Sequence, residues 1–526
     1  MNLDIAARRA ELTPNAPAVS WRGRWYDYAA LNDRAERLAA ALLTAGLKKG
    51  DRVAVLAHNH LAHLDLILAT AKCGAVFSPL NVRLAEREQA QIAAYLRPSL
   101  VLHDEEHRHK AEATRRQLWS LDDHEQRLED ADLDILEAAR AAASYSPVEA
   151  EDTQMILLTG GTTGLPKGAM QPYRQGFYNA VNTVLSWGLR DDDCVIQATP
   201  CFHAAVNAFT VPLLHLGART VMQRLFDPAE YLRMVAEQRA TILFLVPTMY
   251  QMLAQHPDFA AADLGSVRWA ISGGASCPEP VRAVFAERDI DLRQGYGLTE
   301  AGVNCFSITR EQARQRPWSV GKPVLHGCAV VRRADGEPCQ PGEAGELTLA
   351  GEHVFSGYFE RPEATNEVLQ NGWLATGDLA TVDDDGFFAI VGRRKEMFVS
   401  GGENVFPVEV EAAIYDHQAV AECAVVSVAD DTWGEVGLAA VVLRGGADLD
   451  GATLREFLRQ RIANYKVPKH ITFVTELPKS AAGKILKREL RGLQAAPHGE
   501  RPNVNSSDPA TEDASPTDPT NPEAAP

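Results

Sequence analysis

Met155-Ile-Leu-Leu158 runs directly into Thr159-Gly-Gly-Thr-Thr-Gly-Leu-Pro-Lys-Gly168. A short apolar strand thus empties into a turn built of glycine and threonine. Glycines at Gly160, Gly161 and Gly164 let backbone N–H groups approach and point at a phosphate. Thr159, Thr162 and Thr163 add hydroxyl donors, and Lys167 adds a cation. A Walker A loop needs Gly-Lys-Ser/Thr in sequence, and here Leu165-Pro166 separate Gly164 from Lys167. The plain alternative is a flexible polar connector. The order strand, hydroxyl-rich glycine loop, Pro-Lys-Gly favours the phosphate reading.

Outward from this loop, the first 300 residues repeat one rhythm. Apolar residues at Leu31, Ala35, Leu38 and Leu42 predict a helix over 28–47. A strand over 53–57, a helix over 61–73 and a strand over 75–77 follow. Short apolar runs recur at 155–158, 194–196, 220–222, 241–246 and 267–271. Strands of this length separated by helices read as βα units around buried parallel sheets. From about 321 to 391, runs at 329–331, 346–349 and 387–391 are punctuated by Asp335-Gly, Pro341-Gly and Asp385-Gly. That texture predicts an antiparallel β subdomain. A compact α/β segment follows to about 493, with an amphipathic helix over 452–464 and a strand over 471–474. Residues 497–526 hold seven prolines, six acidic residues and one arginine, with Val504 the single sizeable aliphatic. Such a tail cannot bury enough apolar surface to offset its ordering entropy, and is expected to be disordered.

The chain has 526 residues, a net charge of −18 and 46% hydrophobic residues. The tail accounts for five of those charges. A core of that size excludes a disordered chain or a coiled coil, and the acidic balance argues against a nucleic-acid partner. Eight cysteines are scattered, with no Cys-x-x-Cys pair, so neither a disulfide framework nor a cysteine-rich zinc site is indicated. No stretch has signal-peptide or bilayer-spanning character, so a cytoplasmic protein is expected. His103-Asp-Glu-Glu-His107 spells the H-x-x-E-H string of inverted zinc peptidases. That motif needs a helix, whereas Leu100-Val-Leu102 predicts a strand running into a charged loop. With no third ligand evident, zinc is disfavoured, and His58, His60 and His63 read as incidental. No Gly-x-Ser-x-Gly elbow exists, which disfavours a serine hydrolase.

Later stations follow the loop in a fixed order: Pro200-Cys-Phe-His203, Ser272-Gly-Gly-Ala-Ser276, Tyr296-Gly-Leu-Thr-Glu300, Thr376-Gly-Asp378, Gly392-Arg-Arg-Lys-Glu-Met397, Ser400-Gly-Gly-Glu-Asn404 and Pro478 to Lys484. Together they resemble the adenylate-forming superfamily of acyl-CoA synthetases, non-ribosomal adenylation domains and beetle luciferases. Within it, the chain looks most like a fatty-acyl-CoA ligase. The resemblance spans roughly residues 5–493. Three departures stand out. Gly160 replaces a usual hydroxyl residue, Glu396 replaces Asp, and Tyr173 stands where His is common.

The resemblance implies a multidomain α/β fold. A large N-terminal AMP-binding domain (1–394) would hold two βα-type sheets plus a distorted β-barrel subdomain. A small mobile C-terminal α+β domain (395–495) would carry the catalytic lysine, ahead of the tail (496–526). It implies ATP, Mg²⁺ and coenzyme A as cofactors. Glu300 would be the Mg²⁺ ligand, Thr299 an α-phosphate contact, Lys484 the bridge between carboxylate and α-phosphate, and His203 a gate to the acyl pocket. Gly273, Gly274 and Ala275 would lie beside adenine, with Gly295, Tyr296 and Gly297 following. Asp378 and Arg393 would hold the ribose, and Lys395 would be the hinge. Gly401, Gly402, Glu403 and Trp433 would form the thiol-side face in a second conformer.

Both reactants of adenylation are anionic, so catalysis needs positioning, cations and Mg²⁺. The expected pocket lining (Ala205, Val206, Phe209, Val246, Gly274, Val303) is mostly apolar and favours an apolar monocarboxylate, fatty or aromatic. Alternatives are a stand-alone adenylation enzyme loading a carrier-protein thiol in trans, a non-catalytic nucleotide-binding scaffold, and a kinase-like phosphotransferase. A homodimer is compatible with all of them, and no integral-membrane segment is expected.

Overall fold

The computed structural model describes residues 3–142, 147–160, 165–430, 432–479 and 485–491. Gly161, Thr162, Thr163, Gly164, Lys484 and the 496–526 tail therefore lie outside the described residues.

Two seven-stranded sheets carry the large N-terminal part. In the first, Leu292–Gln294, Trp269–Ser272, Ile242–Leu245, Cys194–Gln197, Arg219–Met222 and Pro17–Trp21 lie parallel, and Arg24–Asp27 closes one edge as an antiparallel hairpin strand. In the second, Thr153–Thr159, Val76–Pro79, Arg52–Leu56, Leu100–His103 and Gln117–Ser120 are parallel neighbours. Lys167–Pro172 then returns antiparallel to Thr153–Thr159. The parallel strands are buried along nearly their whole length, which is why they read as continuous apolar runs rather than alternating ones.

The β subdomain is a five-stranded antiparallel sheet of Cys328–Arg332, Gly345–Ala350, Trp373–Val382, Leu369–Gln370 and Phe388–Arg393. A bridge from Gly321 to Phe388 joins it to the ribbon Phe306–Ser307/Lys322–Pro323. The smaller C-terminal domain packs Pro407–Tyr415 and Gly451–Arg459 on a mixed sheet. Its central hairpin is Val420–Asp430/Gly434–Leu443. The chain's helices and strands thus follow the expected order. Two helices end earlier than periodicity predicts. The first, Tyr28–Thr44, stops before Gly46, whose φ of +85° breaks the ladder. The other, Gly451–Arg459, stops short of a separate 3₁₀ turn, Asn464–Lys466. No described helix is long and apolar enough to cross a membrane.

One buried charge cluster pins three helices together. Asp65, on Leu61–Cys73, is fully buried and accepts from Arg34 Nε at 3.0 Å and Nη2 at 2.8 Å. It also contacts His124 Nε2 at 2.9 Å, while Glu125 holds the other face of Arg34 at 2.6 Å. Burial opposes ionisation of Asp65, yet the Arg34 guanidinium overrides it and keeps the carboxyl well below its ordinary range. Asp65→Ala strands Arg34 and His124 without their shared acceptor. It should cost about 3–5 kcal/mol in urea unfolding.

Burial also lowers the pKa of His63, His215 and His353 to about 4 each. In the unfolded chain these groups titrate near about 6.5. The unfolded state therefore binds more protons between those values, and stability falls as pH drops from about 6.5 toward 4. The urea midpoint should be lower at pH 5 than at pH 7.5, and equal midpoints would contradict this account.

Candidate functional site

The phosphate-type loop is the connection of a β-hairpin. Thr159 pairs with Lys167 across the two strands, and Thr159 Oγ1 donates to the Lys167 carbonyl at 3.4 Å. Gly168 is required by packing, since a Cβ there would meet Ile156 Cγ2 at 2.7 Å. Lys167 Nζ lies 4.8 Å from the centre of the Tyr358 ring. That aromatic hydroxyl donates to Glu300 Oε1 at 2.9 Å. Tyr358 thus aligns a cation and a carboxylate, the two groups a metal–phosphate complex would meet. It sits in a two-residue strand, Gly357–Tyr358, and no sequence signal singles it out.

The Thr299–Ala301 turn is held from behind by amides on the hairpin and the following helix. Gln171 and Gln175 donate to the Thr299 carbonyl at 2.8 and 3.0 Å. Asn207, beyond His203, donates to Gln171 Oε1 at 3.0 Å, and Asn179 donates to the Asn207 carbonyl at 2.7 Å. One buried amide network therefore fixes the Glu300 turn relative to the segment carrying His203. The His203 ring is tilted against Phe202, centroids 4.7 Å apart. Gly297 is dictated by close approach: a Cβ there would fall 2.2 Å from the Val303 carbonyl oxygen. Gly295 faces Ile271 in the same way, and Gly273 faces Phe244. Gly274 has φ +83°, leaving Gly274 and Ala275 exposed at the carboxyl end of Trp269–Ser272.

Asp378 is 3% exposed and joins three segments. Its Oδ2 accepts from Tyr296 at 2.6 Å, and its Oδ1 accepts from Arg393 Nε at 2.8 Å. Arg393 stands opposite Asp378 in the antiparallel ladder. Burial, then the Asp378 carboxylate, pushes the Tyr296 phenol well above its ordinary value, so it stays a donor. Each carboxylate oxygen keeps a further lone pair, enough to accept from a vicinal diol. Lys395 follows in the exposed turn after Arg393, and Arg394 is anchored to Glu346 at 2.8 Å.

The second glycine loop and the tryptophan segment meet. Gly401 N donates to the Trp433 carbonyl at 3.1 Å, and Ser400 pairs with Gly434. A Cβ on Gly401 would touch the Trp433 ring at 2.6 Å, and φ at Gly401 and Gly402 is +60° and +90°. Glu403 is exposed, as is Trp433. No sequence signal pointed to Lys487, a partly buried lysine that pairs with Glu411 at 2.8 Å and Glu396 at 3.1 Å. It ties the last described helix to the segment after Lys395.

The expected pocket lining divides. Val206 is sealed in the core between the sheets. Phe209 is also buried, in an aromatic cluster with Phe244 and Trp269, and Val303 packs against that cluster. Tyr173, unexplained by sequence, is a core residue at the start of Tyr173–Trp187.

The family described as AMP-binding enzyme matches residues 6–359, and its C-terminal domain matches residues 409–484. A feruloyl-CoA synthase from an Amycolatopsis species is 40% identical over 485 residues, covering 92% of this chain and 97% of the relative. O-succinylbenzoate CoA synthetase from Bacillus subtilis with its acyl-adenylate intermediate superposes with a TM-score of 0.83 at 27% identity. That match covers 94% of this chain and 99% of the other. The same enzyme with ATP and magnesium ion gives 0.83 at 28%, with 93% and 99% covered. ATP, Mg²⁺ and CoA are the usual cosubstrates and metal of this family.

Replacing Asp378 with Ala removes the acceptor of both Tyr296 and Arg393. AMP affinity, read by calorimetry, should fall about tenfold or more, as loss of a hydrogen bond to charged partners implies. With residues 6–359 and 409–484 matched and relatives aligned over 92% of its length, this chain belongs to the AMP-binding enzyme family, as one of its AMP-forming acyl-CoA ligases.

Proposed function

We propose that this ligase activates an aromatic monocarboxylic acid of the hydroxycinnamate kind, in two half-reactions at one site. In the first, the carboxylate attacks the α-phosphorus of ATP, giving acyl-AMP and pyrophosphate. In the second, the CoA thiol attacks the acyl carbon and AMP leaves. The observation that carries the two-step reading is the presence, in one chain, of both constellations. Tyr296–Asp378–Arg393 with Glu300 forms the nucleotide side. Gly401 beneath Trp433 forms a second face. The 40% identity to a feruloyl-CoA synthase supports an aromatic acid over the fatty acid that the sequence suggested.

The Glu300 carboxylate, oriented through Tyr358, offers the hard oxygen donor that Mg²⁺ prefers, so the residues present fit that ion. When bound, Mg²⁺ neutralises phosphate charge. Lys167 and Thr159 would flank the phosphates, with Gly160 and the remaining loop residues (Gly161, Thr162, Thr163, Gly164) supplying backbone donors. Asp378 would accept from the ribose hydroxyls and Arg393 would donate to them. Lys484 would neutralise charge between the acyl carboxylate and the α-phosphate, and His203 would orient the acid. The domain boundary would fall at Lys395, and its exposed turn would absorb the dihedral change between conformers.

A panel of ferulate, 4-coumarate, benzoate and octanoate, with CoA or a holo carrier protein, tests the reading. Ferulate-type acids with CoA should give AMP and thioester fastest. A preference for octanoate would return the fatty-acid assignment, and transfer only to the carrier would return the carrier-loading one.

Half-reactions separate the roles of the residues. Lys484→Ala should depress acyl-AMP formation far more than thioester formation from preformed acyl-AMP. Gly401→Val should do the reverse, because the added side chain collides with Trp433.

A further inference from the structure

The chain order of the second sheet creates a crevice that the ligase reading does not use. The chain lays down Arg52–Leu56, then Val76–Pro79 on one side of it, then crosses to Leu100–His103 on the other, with Gln117–Ser120 beyond. The connections therefore leave Arg52–Leu56 and Leu100–His103 in opposite directions, with Leu56 paired to His103 at their carboxyl ends. In open parallel sheets, such a switch point leaves a ligand-sized crevice outside the strand ends. Here the crevice is a cleft of about 510 Å³, lined among others by His58, Asp104, Glu106 and Arg224. His58 follows the first strand, and 104–107 follow the second.

We propose that His58, Glu106 and His107 form a binding site for a borderline divalent transition ion, Zn²⁺ being the natural occupant. The donor atoms of the three residues lie within 4.8 Å of one another. His58 Nε2 and Glu106 Oε1 are 3.3 Å apart. Two ligands at bond lengths of 2.0–2.1 Å around a tetrahedral zinc stand about 3.3–3.4 Å apart. His107 Nδ1 is held by Asp104 Oδ1 at 2.5 Å. That bond fixes the proton on Nδ1 and leaves Nε2 with its lone pair, the carboxylate–histidine arrangement that supports a metal-bound imidazole. The Glu106 side chain is half-exposed, and its second oxygen is paired with Arg224 at 2.7 Å. Two imidazoles and one carboxylate suit zinc rather than magnesium, and a fourth position remains for water or a ligand from the cleft.

The pair that comes together is not the one the H-x-x-E-H string suggests. His103 turns away to its neighbour's carbonyl, and the third ligand, His58, arrives from the turn after Arg52–Leu56, 48 residues before Glu106. Asn59, next to His58, accepts from Cys201 N at 2.7 Å. An ion here would therefore stiffen a contact with the segment leading to His203.

The full-length protein, stripped with a chelator, is titrated with ZnCl₂ by calorimetry and with Co²⁺ by visible absorption, in the presence of excess Mg²⁺. One equivalent should bind, with the intense visible bands of a tetrahedral Co²⁺ site. His58→Ala and Glu106→Gln should each weaken it about tenfold or more, and Asp104→Asn about 10–100-fold. Arg224→Gln should tighten it, because a cation beside the site is removed, whereas a purely structural His–Glu pair would show no such gain. Thermal melts without metal check that each variant folds. Zinc binding that is absent in the parent, or unchanged in both His58→Ala and Glu106→Gln, would overturn the proposal. None of these readouts depends on ligase activity.

Discussion

The Asp378 carboxylate, almost fully buried, accepts one hydrogen bond from Tyr296 and one from Arg393. A buried charge survives only when partners satisfy it, so these three side chains must come together for the chain to fold well. Tyr296 comes from the loop after Leu292–Gln294 in the first sheet. Asp378 and Arg393 belong to the antiparallel subdomain. The carboxylate is thus a staple between two layers as well as the natural acceptor for a sugar diol. Lys395 comes two residues after Arg393, which places the expected hinge directly beside that staple.

Around it, the site is built by backing layers that do not themselves face a nucleotide. The amide chain of Asn179, Asn207, Gln171 and Gln175 holds the Glu300 turn, and Tyr358 aims its carboxylate. Gly297 lets Val303 approach at a distance no side chain permits. Such buried polar networks hold the groups they back to narrow geometric limits, which a transition state with developing charge requires.

Much of this was legible in the sequence, because its signals are local. Strand–glycine loop, strand–turn and Thr-Gly-Asp units are each readable within about ten residues, and buried parallel strands declare themselves as apolar runs. Helix ends were less legible. Apolar periodicity continues past Thr44 and Arg459, and only backbone conformation shows where the ladder breaks. The acyl preference was the least legible part: the sequence left fatty and aromatic acids both open, and a 40% identical feruloyl-CoA synthase favours the aromatic one. Phe209 looked like pocket lining by position, yet it is buried against Phe244 and Trp269 in a cluster that no single segment encodes.

The sequence by itself determined the family and the order of helices and strands along the chain, and it supplied the residue types proposed to meet ATP, a carboxylic acid and a thiol. Their spacing reflects chemistry that tolerates few alternatives. Only the tertiary structure decided which distant side chains meet. Tyr358 reaches Glu300 across 58 residues, Lys487 reaches Glu396, and His58 reaches Glu106 across 48. Those encounters depend on strand order and register, which place residues far apart in sequence about 5 Å apart in space. No periodicity along one chain carries that information.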